Sequence, residues 1–183
     1  MQNNQIFSML VILHGVLSDN NICDQDNISC SENDYVKIYW DLNGLHQEDP
    51  NLIKYIKDNI LVPPSVNKPL NIRHVNTPIK HMGQVNQVEI AMEILGDKAM
   101  KKSKNSKTKQ GFFIEAGAAD GEIISNTLYF EMRYGWTGLL IEPNPDLLEK
   151  LFWRNRKAWI FPHCLSTTEH VEVATLDADI HNR

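Results

Sequence analysis

The residues in this sequence best suited to chemistry are Glu115-Ala116-Gly117-Ala118-Ala119-Asp120-Gly121 and, 25 residues after Gly117, Glu142. The first group follows the apolar run Phe112-Phe113-Ile114 and Glu142 follows Leu139-Leu140-Ile141, so both stand where short buried strands would end. Gly117 and Gly121 permit a tight turn and let a ligand approach the backbone, which a side chain would block. Amides opening the next helix can hold a carboxylate or phosphate. A carboxylate at position 142 can accept hydrogen bonds from both ribose hydroxyls of an adenosine. Three residues separate the glycines, which is not the dinucleotide pattern Gly-x-Gly-x-x-Gly, and no Gly-Lys-Ser/Thr occurs, which excludes a P-loop. Glu115 ahead of the loop fits S-adenosylmethionine better than NAD, because that ligand has no pyrophosphate and its amino and sulfonium groups tolerate carboxylates. The same spacing also suits an ordinary strand-to-helix turn with Glu142 on the surface, and spacing alone leaves both readings open.

The elements that must position these groups read as strand, Gly loop, helix, strand, helix, strand. The first helix is expected to carry Ile124, Leu128 and Met132 on one face and to end at Gly135. Asn144-Pro145 reads as an N-cap followed by first-turn proline, with Leu148, Leu151 and Phe152 turned inward. Ala158-Trp159-Ile160-Phe161 is the third strand. Two right-handed crossovers follow from this order, which predicts an α/β chain holding the first half of a doubly wound parallel sheet. No catalytic acid or base stands out. His163, after the third strand, reads as a hydrogen-bonded loop residue in preference to a general base. Trp136, Trp153 and Trp159 read as core residues before they read as stacking platforms.

Upstream, residues 1–18 hold an apolar stretch of signal-peptide length ending near Ser18, although no Lys or Arg precedes Lys37; a buried first strand or helix is the other reading. Residues 19–48 form a polar, acidic leader containing the sequon Asn27-Ile28-Ser29 and the closely spaced Cys23 and Cys30. These features together favour the secretory pathway. Residues 49–97 are expected to be a helical extension: Asp49-Pro50 opens a helix with Leu52, Ile53, Ile56 and Ile60 on one face, and a second helix runs from about Gln84 to Leu95 with Gly96 as its stop. Residues 98–110 contain six lysines among turn residues, which reads as a solvated linker before a peripheral contact with acidic lipid. Residues 111–183 are the α/β part. A net charge of −5 argues against nucleic acid as the main partner. No apolar run reaches the length of a conventional spanning helix, and three scattered cysteines suit neither a disulfide scaffold nor a four-ligand zinc site.

Gly-Phe-Phe-Ile-Glu-Ala-Gly-Ala-Ala-Asp-Gly, Ser125-Asn126-Thr127-Leu128, Gly135-Trp136-Thr137-Gly138-Leu139-Leu140-Ile141-Glu142-Pro143-Asn144 and Cys164-Leu165-Ser166 resemble the FkbM-type methyltransferase domain. Within that group they look closest to the Star-like proteins of the animal secretory pathway, over about residues 84–170. The resemblance implies a Rossmann-like class I methyltransferase fold, S-adenosyl-L-methionine as cofactor, and O-methyl transfer. It implies a cofactor loop of Glu115, Gly117, Ala118, Asp120 and Gly121, with Glu142 as the ribose-binding acid and Asn126 as a further cofactor-side residue. The Star-like resemblance carries a different expectation: a non-enzymatic factor in endoplasmic reticulum-to-Golgi and endosomal transport that binds secretory cargo protein. A complete domain of this kind has a seven-stranded sheet, whereas residues 111–183 supply about three strands. The sequence therefore predicts a truncated domain whose first strand is an unprotected, association-prone edge.

Overall fold

The computed structural model describes residues 11–13, 42, 44–73, 83, 85–100 and 111–174, with no account of side chains at 11–13, 96–100 and 173–174. The sequon, Cys23, Cys30 and residues 101–110 of the lysine-rich segment lie outside them. The chain divides into two compact units, Ile60–Pro162, and Met1–Asn59 with His163–Arg183.

The second of these units contains strand β1 (Val11–Leu13), which pairs in parallel with β5 (Glu172–Ala174). Part of the apolar N-terminal stretch is thus a strand. Residues 44–47 pair with 169–171 through Gly44 N–H to Val171 O, Gln47 N–H to Glu169 O and Val171 N–H to Leu45 O. Helix α1 (Pro50–Tyr55) begins as its sequence requires: the Asp49 carboxylate accepts from Asn51 N–H at 2.8 Å and Pro50 occupies the first turn. It continues as a π-helical turn, Ile56–Ile60. Of the apolar face expected here only Leu52 is fully buried.

In the unit Ile60–Pro162, β2 (Phe112–Ala116), β3 (Thr137–Ile141) and β4 (Trp159–Phe161) form a parallel sheet in the order β2-β3-β4. Ile114 lies opposite Leu139 and Leu139 opposite Trp159, so these residues share one face of the sheet. Phe113, Leu140 and Ile160 occupy the other face, where Leu148 and Leu151 of helix α4 (Pro145–Trp153) pack against them to make the core. Asn144 caps α4, its side chain accepting from the N–H groups of Asp146 and Leu147. Phe152, expected inward, is exposed, because the helix turns it about 100° away from Leu151.

Helix α2 (Gln87–Met100) runs through Gly96, which was expected to stop it. Val88 is buried, and Ala91 and Met92 lie beside it against Phe130 and Tyr134 of helix α3 (Leu128–Tyr134). Leu95 is exposed because this partner helix is short. Gly135 ends α3 in the left-handed conformation at φ 68°, as its position in the sequence predicts. Trp136 packs beside both core clusters, whereas Trp153 and Trp159 are 67% and 40% exposed, contrary to the core roles expected of them.

Parallel strands are usually covered on both faces, but β2 alternates exposed and buried residues along its length. Phe112 and Ile114 are 58% and 59% exposed. Among the described residues nothing pairs with the outer edge of β2. The outer edge of β4 is covered by Val62, which exchanges both backbone hydrogen bonds with Ile160 in an antiparallel bridge. The three expected parallel strands are therefore present, with the outer edge of β2 open among the described residues.

Candidate functional site

At the carboxyl ends of β2 and β3 the chain turns through residues 117–127, and this turn differs from the short loop expected. Ile124, assigned to the following helix by its spacing, lies outside it at φ 55° and is half exposed; the helix begins only at Leu128. Hydrogen bonds from carboxylates explain the delay. Glu115, buried at the end of β2, accepts from Ser125 Oγ at 2.8 Å, from Asn126 N–H at 2.7 Å and from the Thr127 hydroxyl. Asp120 Oδ1 accepts from the N–H groups of Glu122 at 3.0 Å and Ile123 at 2.7 Å, closing an Asx turn. Side chains and backbone thus compete for the same amides, and the helix cannot start until residue 128.

Glu142 ends β3 and is 5% exposed. Its Oε2 accepts from Ala119 N–H at 2.8 Å and its Oε1 from Asn144 N–H at 2.9 Å. Ala119 sits at φ 50°, a conformation that costs an L-residue about 1–2 kcal/mol, and the carboxylate hydrogen bond helps to hold it there. The two glycines have different physical reasons. Gly117, at φ 75°, has no heavy atom within 4 Å of where a Cβ would stand, so its pro-side-chain direction faces open space. At Gly121, also φ 75°, a Cβ would lie 2.3 Å from Leu151 Cδ1. Gly121 thus makes room for the core helix.

The anion-holding amides expected here are engaged within the loop. Gly117 N–H and Ala118 N–H both donate to Ile141 O, Gly121 N–H to Ala118 O, and Ser125 N–H to Glu122 O. With the amides of Ala119, Glu122, Ile123 and Asn126 bound to carboxylates, the turn makes no phosphate cradle of the P-loop kind.

Behind the loop lie two arginines that the sequence reading missed. Arg154, at the end of α4, contacts Asp120 through Nη2 and Glu122 Oε2 through Nη1 at 2.8 Å, and its Nε donates to Asp120 O at 3.2 Å. Arg156 is 1% exposed; its Nε donates to Glu131 Oε2 at 2.9 Å, its Nη1 to Gly121 O and its Nη2 to Thr127 Oγ1 at 3.2 Å. Glu131 also accepts from Lys157 N–H at 2.7 Å. Burial alone would raise the Asp120 pKa, but hydrogen bonds from Arg154 and from the amides of Ile123 and Glu122 outweigh it and hold the carboxyl below its ordinary value. The available signal was Arg154-Asn-Arg156 directly after an apolar helix, opposite a loop rich in carboxylates.

Of the expected site residues, Gly117 and Glu142 meet at one place, joined there by Ala119, which was not singled out. Ala118 belongs to the core cluster. Glu115, Asp120 and Gly121 turn away into helix timing, ion pairing and packing. Asn126 is half-buried, and a Cβ on Gly83 would lie 2.4 Å from its Oδ1, which has no hydrogen-bond partner among the described residues. His163 belongs to the other unit; burial pushes its imidazole down to about 4, so it is neutral at neutral pH. Among the described residues no group of three or more His, Cys, Asp or Glu is placed to hold a metal ion, and no helix is long and apolar enough to cross a membrane.

What remains open to a ligand is Glu142 and the free side of Gly117. An ionised carboxylate has about four acceptor sites, so each Glu142 oxygen, with one amide bond, keeps a second for a ribose hydroxyl. Open space lies over Gly117, and the Glu142 carboxylate, with no cation paired to it among the described residues, disfavours a phosphorylated ligand. Comparison with known proteins adds nothing to this geometry: no family model, no curated protein and no solved structure matches the chain.

Proposed function

We propose that this chain binds S-adenosyl-L-methionine at the carboxyl ends of β2 and β3 and is an FkbM-like methyltransferase acting by O-methyl transfer. The observation that carries the reading is Glu142, at the end of the second parallel strand, hydrogen-bonded to the loop amide of Ala119 beside the open space at Gly117. The cofactor, when bound, supplies an electrophilic methyl group on a sulfonium. The chain's own part is to bind and orient: Glu142 takes the ribose hydroxyls, and Gly117 leaves the space a side chain would fill. Methyl transfer depends chiefly on placing a nucleophile in line with the sulfonium.

A second reading is favoured by the internal engagement of the loop. Glu115, Asp120 and Gly121 serve the fold, which suits a Star-like factor that keeps the methyltransferase scaffold to bind secretory cargo without turnover. Calorimetric titration of S-adenosylmethionine into the full chain, with folding verified by circular dichroism, separates the two. Micromolar binding that weakens at least tenfold in Glu142→Gln supports the first. No binding by a folded chain overturns it and leaves the non-enzymatic reading.

A further inference from the structure

We propose that Arg154 is a positioning residue for the ligand loop, fixing residues 117–119 from behind through its contacts with Asp120 and Glu122. The inference rests on the reading of this loop as the cofactor site and adds a residue to it that nothing in the loop's own sequence reveals.

The contacts are unusually concentrated. A guanidinium whose side chain is 6% exposed directs Nε to the Asp120 carbonyl, Nη2 to the Asp120 carboxylate and Nη1 to Glu122, across 34 residues of sequence for the Asp120 contacts. Asp120 in turn binds the amides of Glu122 and Ile123, and Glu122 Oε1 accepts from Arg73 N–H at 2.7 Å. The Asp120–Gly121 peptide, one beyond the peptide that follows Ala119, is thus held at its carbonyl by Arg154 Nε, and Gly121 is wedged against Leu151. Residues 117–119 are left as a lip between this clamp and the carboxylate of Glu142. Stability alone is a weak reason for such an arrangement, because buried ion pairs are often replaceable by apolar residues without loss. What a planar fork with fixed donors adds is geometry: it admits one placement of the Asp120 peptide. Ala119 N–H is thereby aimed at Glu142, in the left-handed conformation that a free alanine would leave.

The test compares Arg154→Lys, which keeps the charge and loses the fork, with Asn71→Ala. Asn71 Nδ2 donates to Trp153 O at 3.0 Å, so this control loosens the same helix end without touching the loop. Both variants of the full chain are titrated with S-adenosylhomocysteine below their melting temperatures. Arg154→Lys is expected to bind at least tenfold more weakly, with Asn71→Ala unchanged; a merely structural Arg154 would lower the melting temperature and leave the affinity of the folded protein alone, which overturns the proposal. Hydrogen exchange provides a readout that needs no ligand. The amides of Ala119, Glu122 and Ile123 should lose at least tenfold protection, relative to those of β3, in Arg154→Lys and not in Asn71→Ala; equal protection in all three proteins overturns the proposal. If the wild-type chain binds no S-adenosylhomocysteine, the cofactor reading fails, and the exchange result still decides whether Arg154 positions the loop.

Discussion

Replacing Arg156 with methionine removes the cation of the most deeply buried ion pair among the described residues while keeping much of the side-chain volume. Arg156 is 0% exposed at its side chain and Glu131 is 1% exposed. The substitution leaves the Glu131 carboxylate in a dry site with only Lys157 N–H as donor, and it removes a donor from Gly121 O and another from Thr127 Oγ1. Breaking a buried pair by deleting one partner costs about 3–5 kcal/mol. Against a typical domain stability of about 5–15 kcal/mol this is at least about a fifth of the total. At about 2–4 °C per kcal/mol for a chain of this size, the melting temperature should fall by roughly 6–20 °C. The double variant Arg156→Met/Glu131→Leu should recover part of the loss, since no charge is then left unpaired, although Lys157 N–H and Gly121 O lose their partners. Urea unfolding followed by near-ultraviolet circular dichroism measures both, because Trp136 and Phe130 lie with ring centroids 5.0 Å apart beside this network. A single variant within 1 kcal/mol of wild type, or a double variant less stable than the single, would refute the reasoning.

Three further expectations follow from the same geometry. Gly121→Ala places a methyl group 2.3 Å from Leu151 at a positive φ and should cost about 2–4 kcal/mol, whereas Gly117→Ala meets open space and should cost only the conformational strain of about 1–2 kcal/mol, with loss of cofactor binding; chemical denaturation of the two variants checks the order. His163 is neutral in the fold, its pKa pushed down by burial from 6.5 to about 4, so below pH 6.5 the unfolded chain takes up a proton that the folded chain refuses. Stability should therefore fall as pH drops from 6.5 toward 4, by up to about 3 kcal/mol, and His163→Phe should flatten that part of the profile; an unchanged slope in the variant removes His163 as its cause. Phe112 and Ile114 sit 58% and 59% exposed at an edge strand that carries no charge on its open face. Sedimentation velocity should detect self-association of the chain that Ile114→Lys reduces, and a monodisperse monomer in the wild type would contradict this.

The sheet was legible from the sequence because its determinants are local. Asn144-Pro145, Asp49-Pro50 and Gly135 mark element boundaries through backbone chemistry that does not depend on tertiary context. Short apolar runs located the three strands of the β2-β3-β4 sheet; β5 was not foreseen. The helix after the loop was misread because spacing put Ile124 in phase with Leu128. The hydrogen bonds that delay the helix come from Glu115 and Asp120, residues to which spacing gives another role. Gly121 was read as ligand clearance; in the fold it also gives clearance to Leu151, a contact 30 residues away that no local pattern encodes. Arg154 and Arg156 were invisible for the same reason: a buried arginine looks like a surface one until its partners are in place. Glu142 stands directly after the second strand, where the sequence put it, and its carboxylate bonds the loop amide of Ala119, a contact that spacing does not show.

The most direct test of the account is a pair of 15N–1H correlation spectra of the full chain, recorded with and without S-adenosylhomocysteine. The cofactor site argued from Gly117, Ala119 and Glu142 predicts saturable shifts at the amides of Gly117, Ala119 and Asn144, with the β4 amides unmoved. A folded chain with no shifts, or with shifts confined to residues away from the ends of β2 and β3, would contradict it.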